Sequence, residues 1–137
     1  MITGITFGAF DLLHAGHIHF LKVCSEQCDN LIVGLHSNPS FERPYIKNMP
    51  IQTIFERNTQ LIGCRYVNEI IPYDTEADIE NMLNVYNINV RFLGSDYEDN
   101  SNVTGFDICL DQDIKIIYIP RLHNYSSSEL RDRIRWA

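Results

Sequence analysis

Apolar positions along this chain fall into short unbroken runs, separated by longer stretches in which they return every three or four residues. Runs rich in β-branched and aromatic side chains read as strands covered on both faces, and the helical spacing between them reads as amphipathic helices. Residues 2–7 are the first run. Ile18, Phe20, Leu21, Cys24 and Cys28 then recur at helical spacing over 16–28, until Asp29 and Asn30 stop the pattern. Residues 31–35 give a second strand, so the chain opens with a βαβ unit. Residues 36–49 are a loop by content and long for their position, and such loops often carry ligand contacts.

Pro50 sits as a helix start, with Ile51, Ile54, Phe55, Asn58, Leu61 and Ile62 in period as far as Gly63. Residues 67–71 make a short third strand. Thr75 with Asp78 predicts a capped helix to about Tyr86, turning Ile79, Met82 and Leu83 inward. Residues 90–93 form a fourth strand ended by Gly94, and 95–113 are mixed and acidic with a short helix over 105–110. Residues 115–119 are the fifth strand; after a loop at 120–125, Ser126 with Glu129 caps a last helix over 127–135. The fold class is therefore α/β: a Rossmann-like open, mostly parallel five-stranded sheet with helices on both faces, and no internal repeat competes with it.

Composition narrows the function classes. At 137 residues the chain has the length of one domain, expected to span 1–137. No run resembles a signal peptide or a membrane span, so cytoplasmic residence is expected and no membrane partner. Four cysteines, at 24, 28, 64 and 109, have neither the pairing of a metal site nor the density of a disulfide scaffold, and are expected to be buried thiols. A net charge of −7 argues against nucleic acid as a partner. It leaves a small anionic substrate open, because a local basic cleft can override the sign of the whole surface.

The candidate chemistry gathers after the strands. In an open α/β sheet ligands bind beyond the carboxyl ends of the strands. That rule collects Asp11, His14 and His17 after strand one and Arg43 and Lys47 after strand two. It adds Ser95, Asp96 and Glu98 after strand four, and Arg121, His123 and Ser126 to Ser128 after strand five. Glycines at Gly8 and Gly16 are expected to let the turn after strand one approach a ligand or adopt positive φ. The following helix offers unpaired N–H groups and its positive end, with His14 and His17 on one side of the first turn. Such a cradle suits several phosphates, with Asp96 or Glu98 able to meet a sugar hydroxyl, a base amino group or a metal. The three-glycine dinucleotide fingerprint and the Gly-Lys-Ser/Thr phosphate loop are both missing.

Gly8 to His17, and within it Phe-Asp-Leu-Leu-His-Ala-Gly-His, resembles the His-x-Gly-His signature of the nucleotidyltransferase superfamily, close to its cytidylyltransferase branch and in particular to the glycerol-3-phosphate cytidylyltransferases. Arg121 with Tyr-Ser-Ser-Ser at 125–128, Glu56-Arg57, the segment 65–69 and Gly94-Ser95-Asp96-Tyr97 resemble further segments of the family, so the likeness covers roughly residues 3–131. It implies that His14, His17 and Arg121 stabilise charge building on the α-phosphorus of CTP. It implies nucleotide contacts from Thr6, Phe7, Gly8, Ala9, Phe10, Gly16, Gly94, Asp96, Tyr125, Ser126, Ser127 and Ser128. The acceptor would meet Asp11, Arg43, Lys47, Arg57 and His123, with Mg²⁺ bridging phosphate oxygens and Asp11 a candidate metal ligand. Plainer readings stand beside these: His14 and His17 as helix-capping or core histidines, Asp11 bracing the turn through backbone N–H groups, Arg57 as an ion pair near Glu56, Arg121 as a surface arginine, and Arg43 and Lys47 facing solvent.

The implied reaction is cytidylyl transfer from CTP to a small phosphorylated alcohol, glycerol 3-phosphate the nearest, releasing pyrophosphate, with a homodimer expected from the family. Arg43-Pro44 followed by Glu56-Arg57 also resembles the heptose-phosphate branch, whose reaction is adenylyl transfer to a sugar phosphate. A non-catalytic nucleotide-binding or scaffolding protein is the alternative of another class. This chain departs from the resembled cytidylyltransferases at 41–47, where only Arg43 and Lys47 replace a lysine-rich stretch, at 122–125, and after Asp96. Each departure touches a wall that would read the base or the acceptor.

Overall fold

The computed structural model describes residues 1–98, 102–121 and 125–137. Five strands, β1 (Thr3–Gly8), β2 (Asn30–His36), β3 (Glu69–Tyr73), β4 (Val90–Gly94) and β5 (Lys115–Ile119), form one sheet in the order β3-β2-β1-β4-β5, and every pairing is parallel. Helices α1 (Ala15–Ser25), α2 (Ile54–Ile62), α3 (Glu76–Val85) and α4 (Phe106–Asp111) make the crossovers, and α5 (Ser127–Arg135) follows β5. The α/β expectation holds.

Two cores lie on the two faces. Leu21 and Cys24 of α1 and Leu61 of α2 pack with Leu31, Val33 and Phe92 of the sheet. Ile79, Met82 and Leu83 of α3 and Cys109 of α4 pack with Ile5 and Ile32 on the other side. Cys24, Cys64 and Cys109 are buried free thiols, and Cys28 is half-buried. Among the described residues no helix is long and apolar enough to cross a membrane.

Three elements move from their predicted places, the first being α1, which ends at Ser25 rather than at 28. The second helix begins at Ile54 behind a Thr53–Glu56 capping box, not at Pro50. Asp11 accepts the N–H groups of Ile51 at 2.8 Å and Gln52 at 3.0 Å, which holds that stretch out of the helix. The third strand runs two residues later than expected and takes in Pro72; β3 is an edge strand, where a missing N–H is tolerated. Thr75 with Asp78 forms the predicted capping box of α3, and Ser126 caps α5 by accepting from Glu129 N at 3.0 Å.

The strand order reverses at β1, which has β2 on one side and β4 on the other. β1 pairs with β2 at six positions and with β4 only at Gly4–Val90 and Ile5–Arg91. Beyond that point the two strands part, bridged by the Thr6 hydroxyl donating to the Phe92 carbonyl at 3.2 Å. A parting of this kind at the switch point of the strand order is where α/β sheets bind ligands.

Candidate active site

The turn after β1 is not shaped as the glycines suggested. Phe10 (φ 48°) and Leu12 (φ 53°) take the left-handed conformation, and Gly8 does not. Gly8 gives room instead: a Cβ there would lie 3.1 Å from the Phe10 ring, a tight contact. Positive φ at two bulky residues is costly and persists where surrounding contacts enforce it. Phe10 is anchored in the core, its ring 5.3 Å from that of His17. Between the two lies Asp11, 7% exposed, whose carboxylate takes the Ile51 and Gln52 N–H groups and the Arg131 guanidinium at 2.8 Å. The Ser127 hydroxyl donates to the Asp11 carbonyl at 3.0 Å. Asp11 therefore braces the turn, as its plainer reading had it, and it also lines the larger chamber.

Just past this turn, the two histidines cap α1 reciprocally. His14 Nδ1 accepts from Gly16 N at 3.0 Å and His17 N at 3.4 Å, while His17 Nδ1 accepts from His14 N at 3.3 Å. The rings stack with centroids 3.8 Å apart. A ring nitrogen that accepts an N–H carries no proton, so the neutral form of each imidazole has its proton on Nε2. Two N–H donors are thus oriented by the backbone they cap, beside the positive end of a helix.

Two adjoining chambers open over the strand ends. The larger, about 620 Å³, lies over β1, β2 and β3 and reaches Arg43, Lys47, Glu76 and Arg91. The smaller, about 240 Å³, lies between α1 and the segment after β5, and is lined by His14, Gly16, Pro120, Arg121, Tyr125 and Ser126. His17, Gly94, Asp96 and Ser127 line both and form the passage between them. Thr6, Phe7, Gly8, Ala9 and Phe10 line the larger chamber.

Most predicted positions therefore converge, and several of them are also engaged within the fold. Arg57 does not face the cleft. It is 2% exposed, and its guanidinium donates to the carbonyls of Gln52 (3.1 Å), Ala9 (3.0 Å), His36 (2.6 Å) and Ser37 (2.5 Å). It is neither an acceptor ligand nor an ion pair but a strut joining the turn after β1 to the end of β2. Burial lowers its pKa from the usual guanidinium value, with the nearby Asp11 carboxylate opposing the shift. Ser126 and Ser127 spend their hydroxyls on the α5 cap and on Asp11, and Ser128 is exposed and lines neither chamber. Arg43 lines the larger chamber paired with Glu76 at 3.2 Å, and Arg121 lines the smaller with a hydrogen bond to Tyr125 O at 2.7 Å. His123 lies outside the described residues.

Two cations in the larger chamber escaped the sequence reading, Arg131 and Arg91. Arg131 stands four residues after Ser127, on the same face of α5, and that spacing was its available signal. Arg91 interrupts the apolar run of a buried parallel strand, which is unusual for a charge. Among the described residues no group of three His, Cys, Asp or Glu side chains stands close enough to hold a metal ion.

The glycine-poor turn, the histidine box at a helix start and the cleft at the switch point define an α/β domain with a cleft over its strand ends, and comparison with known proteins names its family. The family model described as cytidylyltransferase-like matches residues 5–133. The chain belongs to that family, within the nucleotidyltransferase superfamily. It is 28% identical over 130 residues to the bifunctional protein HldE of Coxiella burnetii, covering 95% of this chain and 27% of that protein. It is 38% identical over 74 residues to the ethanolamine-phosphate cytidylyltransferase of Arabidopsis thaliana, covering 52% of this chain and 18% of the other. The lipopolysaccharide core biosynthesis protein of Thermoplasma volcanium superposes with a TM-score of 0.65 at 26% identity, covering 92% of this chain and 99% of that one. The chain thus spans about a quarter or less of the length of these two curated relatives.

Proposed function

We propose that this chain catalyses nucleotidyl transfer to a small phosphorylated compound. An acceptor phosphate oxygen bonds to the α-phosphorus of a nucleoside triphosphate, the bond from that phosphorus to the β-phosphate bridging oxygen breaks, and pyrophosphate leaves with the electron pair. The histidine box carries this reading: it holds two Nε2–H donors at the start of α1, with His17 in the passage between the chambers. Transfer of this kind needs alignment and oriented positive charge more than covalent help, and one fixed donor contributes about 3 kcal/mol to such a transition state. A phosphate monoester is already a competent nucleophile near neutral pH, so no general base is required. On this reading Arg121 steadies the triphosphate in the smaller chamber, and Lys47 receives the acceptor phosphate in the larger one.

Adenylyl transfer to a sugar phosphate leads. It is supported by the resemblance of Arg43-Pro44 and Glu56-Arg57 to the heptose-phosphate branch, and by likeness to a protein described by its part in assembling a lipopolysaccharide core. Cytidylyl transfer to a phosphorylated alcohol is the second reading, favoured by the Arabidopsis enzyme. The donor set fits a Mg²⁺ carried by the triphosphate rather than a protein-built centre, since Asp11 is fully engaged and Asp96 is the carboxylate at the passage. Bound there, the ion would neutralise phosphate charge. A homodimer belongs to the proposal too, because Phe41, Tyr45, Ile46, Met49 and Phe55 leave apolar surface exposed along 41–55.

Pyrophosphate release, measured with each of four nucleoside triphosphates against a panel of sugar phosphates and phosphorylated alcohols, tests the proposal. Turnover with one donor and a narrow set of acceptors is expected. Nucleotide binding without turnover for any pair would replace it with the non-catalytic alternative.

A further inference from the structure

The floor of the larger chamber holds a charge that the proposed reaction does not use. Arg91 is 2% exposed, and it lines the chamber from the face of the sheet that carries α3 and α4. Its guanidinium lies over the Phe7 ring, 5.1 Å from the centroid, and Nη1 donates to the Thr104 carbonyl. Nε is buried with no hydrogen-bond partner, and among the described residues no carboxylate is within ion-pair distance of the group. The edge of a guanidinium that includes Nε is the one that grips carboxylates and phosphates at two points. An orphaned donor on a buried cation costs stability unless something else meets it.

Counting the cations of this chamber shows what that could be. Arg131 is neutralised by Asp11 and Arg43 by Glu76. Lys47 and Arg91 remain without an ion pair among the described residues. Lys47, on the loop after β2, serves the phosphate that attacks. Arg91 lies deeper, beside Tyr73 and Ile79, where no phosphate of the donor is needed.

We infer that Arg91 and the ring wall of Phe7 and Tyr73 form an inner subsite for a second anionic group, a carboxylate or a second phosphate, at the end of the acceptor remote from its reacting phosphate. This rests on the acceptor occupying the larger chamber, as proposed above, and narrows the acceptor to a compound with two anionic ends. An uncharged tail would leave the guanidinium without a counter-charge closer than Glu76, which is already paired with Arg43.

Matched acceptors test it: glycerol 3-phosphate against 3-phosphoglycerate, which differ by a hydroxymethyl and a carboxylate, and glucose 1-phosphate against glucose 1,6-bisphosphate. Each is titrated into the full-length chain by calorimetry and assayed for pyrophosphate release. The compound with the second anionic group should bind at least tenfold more tightly in one pair, and which pair shows it separates carboxylate from phosphate. Arg91→Gln should abolish that preference while leaving affinity for the singly anionic partner and for nucleotide within twofold, and Arg91→Lys should restore part of it. Equal binding within both pairs in the wild type, or equal loss for both members of a pair in a folded Arg91→Gln protein, would overturn the inference. The calorimetry stands apart from turnover: a retained, Arg91-dependent preference with no pyrophosphate released would sink the proposed reaction and leave the subsite.

Discussion

Asp11 and Arg131 stand 120 residues apart in the chain and meet at 2.8 Å, tying the turn after β1 to α5. The same carboxylate holds Ile51 and Gln52, so one side chain fixes three segments around the cleft. Replacing Asp11 with alanine would strand a partly buried guanidinium and two N–H groups at once. We expect Asp11→Ala to lose about 3 kcal/mol in urea denaturation. A loss below about 0.5 kcal/mol would show that the brace is dispensable.

His14 has two tasks that substitution can separate. Asparagine is among the best N-cap residues, so His14→Asn should keep the α1 cap and stay within about 0.5 kcal/mol of the parent in stability. It cannot supply the Nε2–H, and turnover should fall about a hundredfold. If turnover survives in the folded variant, His14 caps the helix and does no more.

For Arg57 the expectation is structural. Lysine carries the same charge but cannot reach four carbonyls from one planar fork. Arg57→Lys should therefore lower the melting temperature by about 10 °C, from a loss near 3 kcal/mol. An unchanged melting temperature together with a raised acceptor KM would return Arg57 to the substrate.

His36 gives the fold a pH dependence. Burial lowers its pKa below the ordinary 6.5, against the opposing pull of the Asp74 carbonyl, which stands 3.2 Å from Nε2. Above pH 6.5 the ring is neutral in both folded and unfolded chains and costs nothing. As pH falls below that value the unfolded chain takes up the proton first, so stability is lost toward acid. His36→Phe keeps the stack on Tyr73 and should flatten the decline of melting temperature between about pH 7 and pH 5. A variant with the parent's full slope would assign the effect elsewhere.

How much of this was legible in the sequence depends on the range of each interaction. The strands announce themselves because burial on both faces demands unbroken apolar runs, and Thr75 and Ser126 cap helices through bonds to residues three positions on. The start of α2 was misplaced because its cause, Asp11, lies 40 residues upstream. Arg57 could not be read as a strut, since its carbonyl partners come from segments that local periodicity does not connect. The site was legible where one motif contains it, at His14 and His17, and illegible where α5 folds back on the turn. Phe10 and Leu12 show the same limit: neither residue type favours the left-handed region, and tertiary packing puts them there.

The two-position contact between β1 and β4 divides the sheet mechanically. On one side β3, β2 and β1 form a plate laced by five and six residue pairs, and on the other β4 and β5 are laced by five. The line between the plates is a crease, stitched at Gly4–Val90, Ile5–Arg91 and the Thr6 hydroxyl. A ligand lying across His17 and Asp96 touches both plates and works as a rivet. Amide hydrogen exchange along β1 and β4 should then slow on ligand binding more than exchange along β2 and β3, which makes the crease a direct reporter of occupancy.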